Sequence, residues 1–149
     1  MIKVGDKLPQ MILKDHKGND VDSNSLKGKK VLLSFHPLAW TPVCKDQMLS
    51  IENNLDKFDE LNTVCFGLSI DSTFCKNAWA KHIGIEKLQM LSDFWPHGGY
   101  ANKLGLFRET EGFTQRANVI VDEEGKVLFV KVYDIPQLPP IDEIIKACS

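Results

Sequence analysis

Residues 31–44 have the sequence VLLSFHPLAWTPVC, in which an apolar run is followed by two prolines, a threonine and a cysteine. The apolar run at 31–35 predicts a buried strand. Threonine suits the residue that caps a helix, and proline suits the first position inside it. We therefore expect Thr41 to be the N-cap, Pro42 to begin a helix and Cys44 to lie in its first turn.

A long helix and a second strand are expected after this stretch. Apolar residues recur at steps of three and four from Pro42 to about Leu61, which predicts one amphipathic helix over that segment. Residues 64–70 are apolar and predict a strand. A strand, a helix and a strand in succession favour a parallel pair joined by a right-handed crossover.

The remaining segments complete an α/β pattern. They are a helix from a cap at Asp71 or Ser72 to about Ile83, a short strand at 87–91, a hairpin of strands at 117–121 and 127–132, and a helix at 141–147. The order βαβα followed by ββα predicts a thioredoxin-like fold, with a central mixed β-sheet flanked by helices and an N-terminal extension of about 25 residues.

Length and composition indicate one globular domain spanning residues 1–149. The chain has 149 residues, of which 43% are hydrophobic and 26% charged. Its formal net charge of -2, without long runs of lysine or arginine, argues against a nucleic-acid partner. No apolar run is long enough to cross a membrane, and the N-terminus lacks the apolar segment of a secretion signal. We therefore expect no membrane association and a cytoplasmic location.

The cysteines, at positions 44, 65, 75 and 148, form neither a Cys-x-x-Cys pair nor a regular framework. A structural zinc site or a disulfide scaffold is therefore not expected. We expect the protein to use no metal and no organic cofactor.

The position of Cys44 favours a reactive thiolate. Free backbone N–H groups and the helix dipole stabilise an anion in the first turn of a helix. Thr41 lies one turn earlier, and its hydroxyl is expected to accept a backbone N–H and to donate to the sulfur or to a bound oxygen. A fast reaction also needs a fixed cation to stabilise the leaving group. The chain has two arginines, and Arg116, at the entry of a predicted strand, is the expected cation rather than Arg108.

The motif Pro37-x-x-x-Thr41-x-x-Cys44 resembles the active-site motif of the peroxiredoxins, the AhpC/TSA family. The similarity extends from about Val4 to about Val132. Residues 69–79 and 92–98 are most similar to the AhpE-like branch. Residues 115–122 resemble the family strand that carries the active-site arginine.

This resemblance implies a thiol peroxidase that reduces hydrogen peroxide or small organic hydroperoxides. Cys44 would attack the peroxide and become a sulfenic acid, Pro37 would shield it, and Thr41 and Arg116 would hold the peroxide oxygens. Family members usually carry a glutamate where this chain has Gln47, so we expect Arg116 to be held more loosely. The implied partners are a thiol reductant and a second copy of the chain in a homodimer. The reductant would be a thioredoxin-, glutaredoxin- or rubredoxin-like protein, or a low-molecular-weight thiol.

A sulfenic acid must be reduced by a second protein thiol or by an external thiol. Cys75 is the tentative resolving cysteine, because it is expected in the first turn of the second helix. An intramolecular disulfide needs Cα atoms within about 7 Å, so we expect local unwinding around Cys44 on oxidation. Cys65 is expected to be a core residue. Cys148, expected in a mobile C-terminus, and an external thiol remain alternatives to Cys75.

Two other functions fit much of the same pattern. A thioredoxin-type disulfide oxidoreductase shares the expected fold, but its chemistry uses two cysteines two residues apart, and residues 45–47 contain no second thiol. A non-enzymatic redox sensor would need the same reactive Cys44. Turnover with a reductant separates an enzyme, which cycles, from a sensor, which reacts once.

Overall fold

A seven-stranded mixed sheet forms the centre of the computed structural model, which describes all residues 1–149. Its strands are β1 (Ile12–Asp15), β2 (Asp20–Asp22), β3 (Lys30–Phe35), β4 (Thr63–Ser69), β5 (Gln89–Ser92), β8 (Arg116–Val121) and β9 (Val127–Tyr133), while β6 (Phe107–Arg108) and β7 (Phe113–Thr114) form a separate hairpin. The helices are α1 (Pro42–Glu52), α2 (Leu55–Glu60), α3 (Thr73–Ile83), α4 (Gly99–Leu104) and α5 (Ile141–Ala147), and Ser23–Leu26 form a 3-10 turn.

The strand order, β2-β1-β5-β4-β3-β8-β9, confirms the expected thioredoxin-like α/β fold. β3, β4 and β5 are parallel neighbours, and β8 and β9 extend the sheet in antiparallel fashion. The carboxyl ends of the three parallel strands meet at one edge of the sheet, where the antiparallel β8 begins. The segments that follow β3 and β4 and the start of β8 are therefore close together.

Both faces of the sheet are buried, as expected for parallel strands covered by helices. On one face, Leu33 and Phe35 of β3 belong to an apolar cluster that includes Leu104 of α4. On the other face, Leu32 and Ile120 belong to a second cluster, to which α1, α2, α3 and α5 contribute. This second cluster fixes α1 and α3 against the sheet, and both helices begin at the edge described above.

The prediction of one helix from Pro42 to about Leu61 is wrong, because α1 ends at Glu52 and α2 begins at Leu55. The side chain of Asn54 donates a hydrogen bond to the Ser50 carbonyl at 2.7 Å. Asparagine side chains compete with backbone N–H groups for the carbonyls of a helix. Here the Asn54 side chain bonds the Ser50 carbonyl that the Asn54 backbone N–H would bond in a continuing helix, so α1 does not continue. The apolar residues keep the helical spacing across the break, so the sequence pattern alone does not reveal the break.

The expectation of a mobile C-terminus at Cys148 is also wrong. Cys148 is fully buried in the second apolar cluster, and Lys30 Nζ donates to its backbone carbonyl at 2.7 Å. Cys65 is buried in the same cluster, which confirms its predicted place in the core.

Candidate active site

The expected site residues meet at the carboxyl edge of the parallel strands. The loop 36–41 leaves β3 and leads to α1, whose first turn contains Cys44. Arg116 is the first residue of β8, next to the end of β3, where Phe35 pairs with Ala117. The fold therefore brings Cys44 and Arg116 together although they are 72 positions apart.

Arg116 and Cys44 are in direct contact inside the protein. Arg116 Nη1 donates to Cys44 Sγ at 3.3 Å, and Cys44 has no exposed surface while Arg116 is 2% exposed. The guanidinium is further fixed by Nε, which donates to the Ile135 carbonyl at 2.7 Å. No carboxylate forms an ion pair with Arg116. Its positive charge is therefore directed at the sulfur without neutralisation by an acidic partner.

Gln47 orients this arginine. Its Oε1 accepts a hydrogen bond from Arg116 Nη1 at 2.7 Å. Its Nε2 donates to Ser34 Oγ at 2.7 Å and to the Phe35 carbonyl at 3.1 Å, which fixes the direction of the amide. Gln47 thus makes a hydrogen bond to the arginine and brings no charge to the site, and the looser hold on Arg116 expected without a glutamate stays a prediction.

Thr41 precedes α1 with the extended backbone of an N-cap, φ -116° and ψ 148°. The expectation that its hydroxyl accepts a backbone N–H is wrong, and the hydroxyl makes no hydrogen bond to the sulfur; its donation to a bound oxygen stays a prediction. The hydroxyl donates instead to the Leu38 carbonyl at 2.7 Å, because the tight loop before α1 brings that carbonyl within reach. In the same loop Pro37 is buried, and Trp40 has a positive φ of 69°, a backbone conformation that L residues rarely adopt.

A second polar group, here called the Lys76 cluster, lies beside the site and consists of His36, Ser69, Asp71 and Lys76. Lys76 is fully buried, and its Nζ donates to Ser69 Oγ at 2.9 Å and lies 3.2 Å from His36 Nε2. Ser69 Oγ donates to Asp71 Oδ2 at 2.6 Å. The same carboxylate oxygen accepts the Ala39 N–H at 2.9 Å. The cluster therefore ties the loop before Cys44 to the start of α3.

The charges in this cluster are unusual for a protein interior. Burial lowers the pKa of Lys76 to about 7, although the negative groups around it act in the opposite direction. Burial also lowers the pKa of His36 well below its ordinary value, and the neighbouring cations Lys76 and Arg116 lower it further. His36 is therefore neutral at neutral pH, and Lys76 is the group of the cluster that changes charge near pH 7.

Cys75 occupies the predicted first turn of α3 and is half-buried. Ser72 caps the helix by accepting the Cys75 N–H at 3.1 Å. Burial raises the pKa of the Cys75 thiol, and the nearby Asp71, to whose Oδ1 the thiol donates at 3.8 Å, raises it further. All four cysteines are free. Cys75 is thus held in the protonated thiol form beside the loop that carries Cys44.

Neither a metal centre nor a membrane span is found. No group of three or more histidine, cysteine, aspartate or glutamate side chains is arranged to hold a metal ion. None of the helices has the length and apolar character needed to cross a bilayer.

Comparison with known proteins identifies the family. Residues 4–130 match the model of the AhpC/TSA family. The chain belongs to the AhpC/TSA family. Alkyl hydroperoxide reductase E of Mycobacterium tuberculosis is 31% identical over 133 residues, covering 89% of this chain and 86% of the relative. A peroxiredoxin of Ignicoccus hospitalis is 35% identical over 148 residues, covering 96% of this chain and 63% of the relative.

Solved structures agree with this assignment. The reduced 2-Cys peroxiredoxin of Plasmodium vivax has a TM-score of 0.92 and 26% identity, covering 99% of this chain and 81% of that one. AhpC of Enterococcus faecalis has a TM-score of 0.91 and 25% identity, covering 99% of this chain and 91% of that one. The predicted resemblance to the peroxiredoxins is confirmed. The protein is a peroxiredoxin, an oxidoreductase that acts as a thiol peroxidase.

One residue beside the active site of this peroxiredoxin was not found from the sequence. Lys76 had no predicted role, although the spacing of Lys76, Trp79 and Ile83 places the lysine on the buried face of α3. A charged residue in line with apolar ones is the pattern that indicates a buried cation. Asp71 was expected only as a helix cap, a role that Ser72 fills instead.

Proposed function

We propose that Cys44 is the cysteine that attacks the peroxide, with Arg116, Thr41 and Pro37 assisting it. The observation that carries this proposal is the 3.3 Å hydrogen bond from Arg116 to Cys44 Sγ in a buried site. A fixed cation there stabilises the thiolate and then the oxyanion that departs. None of the other three cysteines has a hydrogen bond from an arginine.

In the proposed reaction the Cys44 thiolate attacks the terminal oxygen of the peroxide. The S–O bond forms, the O–O bond breaks, and the electron pair leaves with the second oxygen, which takes a proton from water. The cysteine is oxidised to a sulfenic acid, and the peroxide is reduced to water or an alcohol. The Thr41 hydroxyl, which donates to Leu38, keeps its acceptor lone pairs for a peroxide O–H. Buried Pro37 excludes water from the sulfur.

The proposed substrates are hydrogen peroxide and small organic hydroperoxides. Because Cys44 has no exposed surface, a peroxide reaches the sulfur only when loop atoms give way, and a small molecule requires the smallest displacement. The name of the mycobacterial relative, alkyl hydroperoxide reductase E, favours the inclusion of alkyl hydroperoxides. We expect cumene hydroperoxide, with its bulky aromatic group, to react more slowly than hydrogen peroxide. Equal rate constants would contradict the small-substrate proposal.

We also propose Cys75 as the resolving cysteine. The Cys75 thiol would lose its proton and attack the Cys44 sulfur; the S–S bond forms, the S–O bond breaks, and the leaving oxygen takes up a proton and departs as water, leaving an intramolecular disulfide. Two contacts support this pairing, since Asp71 accepts both the Cys75 thiol, at 3.8 Å, and the N–H of Ala39 in the loop before Cys44, at 2.9 Å. The second contact must break when the loop and the first turn of α1 unwind to bring the sulfurs together. The disulfide would then be reduced by a thioredoxin-, glutaredoxin- or rubredoxin-like protein or by a low-molecular-weight thiol.

Homodimer formation and a cytoplasmic location complete the proposal. Phe74 and Trp95, 85% and 82% exposed, line one groove together with half-exposed Phe94, an apolar surface that a second copy of the chain would cover. A protein of monomeric mass in sedimentation equilibrium at high concentration would contradict the dimer. The reducing cytoplasm would keep the four free cysteines in the thiol form.

The test is stopped-flow tryptophan fluorescence of the reduced protein against increasing hydrogen peroxide, followed by intact mass. We expect a fast, peroxide-dependent phase in the wild type that ends with the loss of two hydrogen atoms. Cys75→Ser should instead gain one oxygen atom, and Cys44→Ser should lose the fast phase. A Cys44→Ser protein that keeps this phase would refute the role of Cys44. A Cys75→Ser protein that still forms an intramolecular disulfide would refute the role of Cys75.

Catalytic cycling distinguishes the peroxidase from a sensor. With excess dithiothreitol as reductant, we expect many peroxide molecules to be consumed per protein molecule. Reaction of a single equivalent, followed by no further consumption, would favour the redox sensor.

A further inference from the structure

The two oxygens of the Asp71 carboxylate have different partners. Oδ2 accepts the Ala39 N–H at 2.9 Å and the Ser69 hydroxyl at 2.6 Å. Oδ1 has a single partner, the Cys75 thiol, whose sulfur lies 3.8 Å away. No lysine, arginine or histidine forms an ion pair with this carboxylate. One oxygen is therefore held by neighbouring donors, and the other is free to accept a proton from the thiol.

The attack of Cys75 on another sulfur requires such a proton acceptor. The thiolate is the nucleophile in disulfide chemistry, whereas Cys75 is held as a neutral thiol by burial and by the charge of Asp71. Its proton must therefore leave during the attack, to a group within hydrogen-bonding reach. Asp71 Oδ1 is the acceptor that the thiol contacts. The contact is long, as hydrogen bonds of thiols are, and catalytic hydrogen bonds commonly shorten in the reacting complex.

We propose that Asp71 is a catalytic residue of the resolving step, the general base that takes the proton of Cys75 while its sulfur attacks the Cys44 sulfenic acid. This inference rests on the proposed roles of Cys44 and Cys75. The S–H proton moves to Asp71 Oδ1, the S–S bond forms, and the S–O bond breaks. The electron pair of the S–O bond leaves with the oxygen, which takes up a proton and departs as water. The Cys75 sulfur is oxidised and the Cys44 sulfur is reduced by the same amount.

The negative charge of Asp71 opposes a free thiolate but does not oppose this reaction. A thiolate formed beforehand would place a second negative charge beside the carboxylate, which is unfavourable. When proton transfer accompanies the attack, the proton neutralises the carboxylate while the sulfur forms its new bond. The two negative charges are therefore never present together.

The same carboxylate links proton transfer to the movement of the loop before Cys44. Ala39 belongs to this loop, and its N–H donates to Asp71 Oδ2 in the reduced protein. When the loop unwinds to bring Cys44 towards Cys75, Asp71 loses this donor. A carboxylate with one donor fewer is less stabilised as an anion and takes up a proton more readily. The base is therefore strongest when the two sulfurs meet.

Other titratable groups surround this pair, and a pH profile must be compared with a second measurement. They are Lys76 and His82 on α3, the neutral His36 after β3 and Asp93 after β5. Lys76 donates to Ser69 Oγ, and its pKa of about 7 lies within the range of the experiment. The solvent isotope effect supplies the second measurement, because it reports proton transfer in the step itself.

The test compares Asp71→Asn and Asp71→Glu with the wild type after each reduced protein is mixed with one equivalent of hydrogen peroxide. Samples are quenched in acid at increasing times, from pH 5 to pH 9. Intact mass follows the conversion of the sulfenic acid, one oxygen atom heavier, to the disulfide, two hydrogen atoms lighter. Asn keeps an acceptor for the Ala39 N–H but takes up no proton, whereas Glu keeps a carboxylate. Asp56→Asn, at an exposed aspartate of α2, is the matched control.

We expect Asp71→Asn to form the disulfide about a hundredfold more slowly than the wild type at pH 6. Its rate should approach that of the wild type as the pH rises, because the Cys75 thiolate then forms without a base. Asp71→Glu should be faster than Asp71→Asn at pH 6, and Asp56→Asn should follow the wild type. An Asn variant that matches the wild type at every pH, or that is slower by the same factor at every pH, would overturn the proposal.

A measurement on the wild type covers the case in which Asp71→Asn does not fold. Disulfide formation should be slower in D2O than in H2O, and equal rates would overturn the proposal. The failure of Cys75 as the resolving cysteine is recognised separately. If Cys75→Ser still forms an intramolecular disulfide, the role of Cys75 is refuted and that of Asp71 with it. If Cys75→Ser stops at the sulfenic acid and Asp71→Asn matches the wild type, only the role of Asp71 fails.

Discussion

Gln47 determines how much of the charge of Arg116 is available to Cys44. The amide oxygen accepts one hydrogen bond from Nη1 at 2.7 Å, the same nitrogen that donates to the sulfur at 3.3 Å. A glutamate at this position would also accept this hydrogen bond, and it would in addition neutralise the arginine. The neutral amide therefore leaves the guanidinium as an uncompensated cation beside the thiol, which favours the thiolate.

The change Gln47→Glu is expected to slow the reaction with hydrogen peroxide at neutral pH by about threefold to tenfold, or roughly 1 kcal/mol. The introduced carboxylate competes with the thiolate for Arg116, so the rate should recover as the pH rises. Stopped-flow fluorescence from pH 5 to 9 measures this. Gln47→Met, which removes the hydrogen bond without adding charge, separates the effect of orientation from that of charge. A Glu variant that matches the wild type at every pH would contradict the argument.

Cys44 and Arg116 could be predicted from the sequence because their chemistry is tied to local features. A helix start is visible in the residues around Cys44, and the chain offers only two arginines. The hydrogen bond of Thr41 could not be predicted in the same way, since it depends on how the loop brings the Leu38 carbonyl to the hydroxyl. Lys76 could not be predicted as a buried cluster residue, because its burial becomes apparent only when α3 is packed on the sheet.

At the scale of elements, long apolar runs were sufficient to predict the central strands. β3, β4, β8 and β9 agree with the predicted runs to within about two residues at each end. The short β1, β2 and α4 were not predicted, because they lack a long apolar pattern. α4 depends on Asp93, seven residues before Tyr100, whose carboxylate accepts the N–H groups of Tyr100 and Ala101 at 3.0 and 2.9 Å.

A contact at the end of α1 joins two segments that are far apart in the chain. The carboxylate of Glu52 accepts the backbone N–H groups of Glu86, Lys87 and Leu88, with the shortest distance, 2.7 Å, to Leu88. These bonds fix the last turn of the helix whose first turn carries Cys44. They therefore hold α1 against the segment that leads into β5.

Replacing Glu52 with Ala should lower the free energy of unfolding by about 2 kcal/mol, because three backbone donors lose a charged acceptor. Urea denaturation at pH 7 measures this. Glu60→Ala, at an exposed residue that makes no side-chain hydrogen bond, is the control and should change stability by less than about 0.5 kcal/mol. If the two variants are equally stable, the Glu52 contacts do not contribute as the structure indicates.

At the scale of the whole molecule, two basic side chains are buried in and beside the site, in a chain whose formal net charge is -2. Lys76 and Arg116 are both almost completely inaccessible, and neither forms a salt bridge. The two apolar clusters on the faces of the sheet supply the stability that this arrangement requires. Buried cations are therefore retained at a cost to folding, and that cost depends on pH.

For Lys76 the sign of this dependence follows from its pKa, which is about 7 in the folded protein and 10.5 ordinarily. Between these values the unfolded chain binds more protons at this lysine than the folded protein does, so its contribution to stability rises with pH. The rise between pH 7 and pH 9 should be about 2 kcal/mol. Below pH 7 the contribution becomes constant, because the lysine is protonated in both states.

The difference in unfolding free energy between wild type and Lys76→Met isolates this contribution, since the other titrating groups are common to both proteins. We expect the wild type to gain about 2 kcal/mol relative to the variant on going from pH 7 to pH 9, measured by urea denaturation with a reductant present. Lys81→Met should show no such change, because that lysine is exposed in the folded protein as well. A constant difference between wild type and Lys76→Met across this range would mean that the folded protein keeps Lys76 protonated throughout.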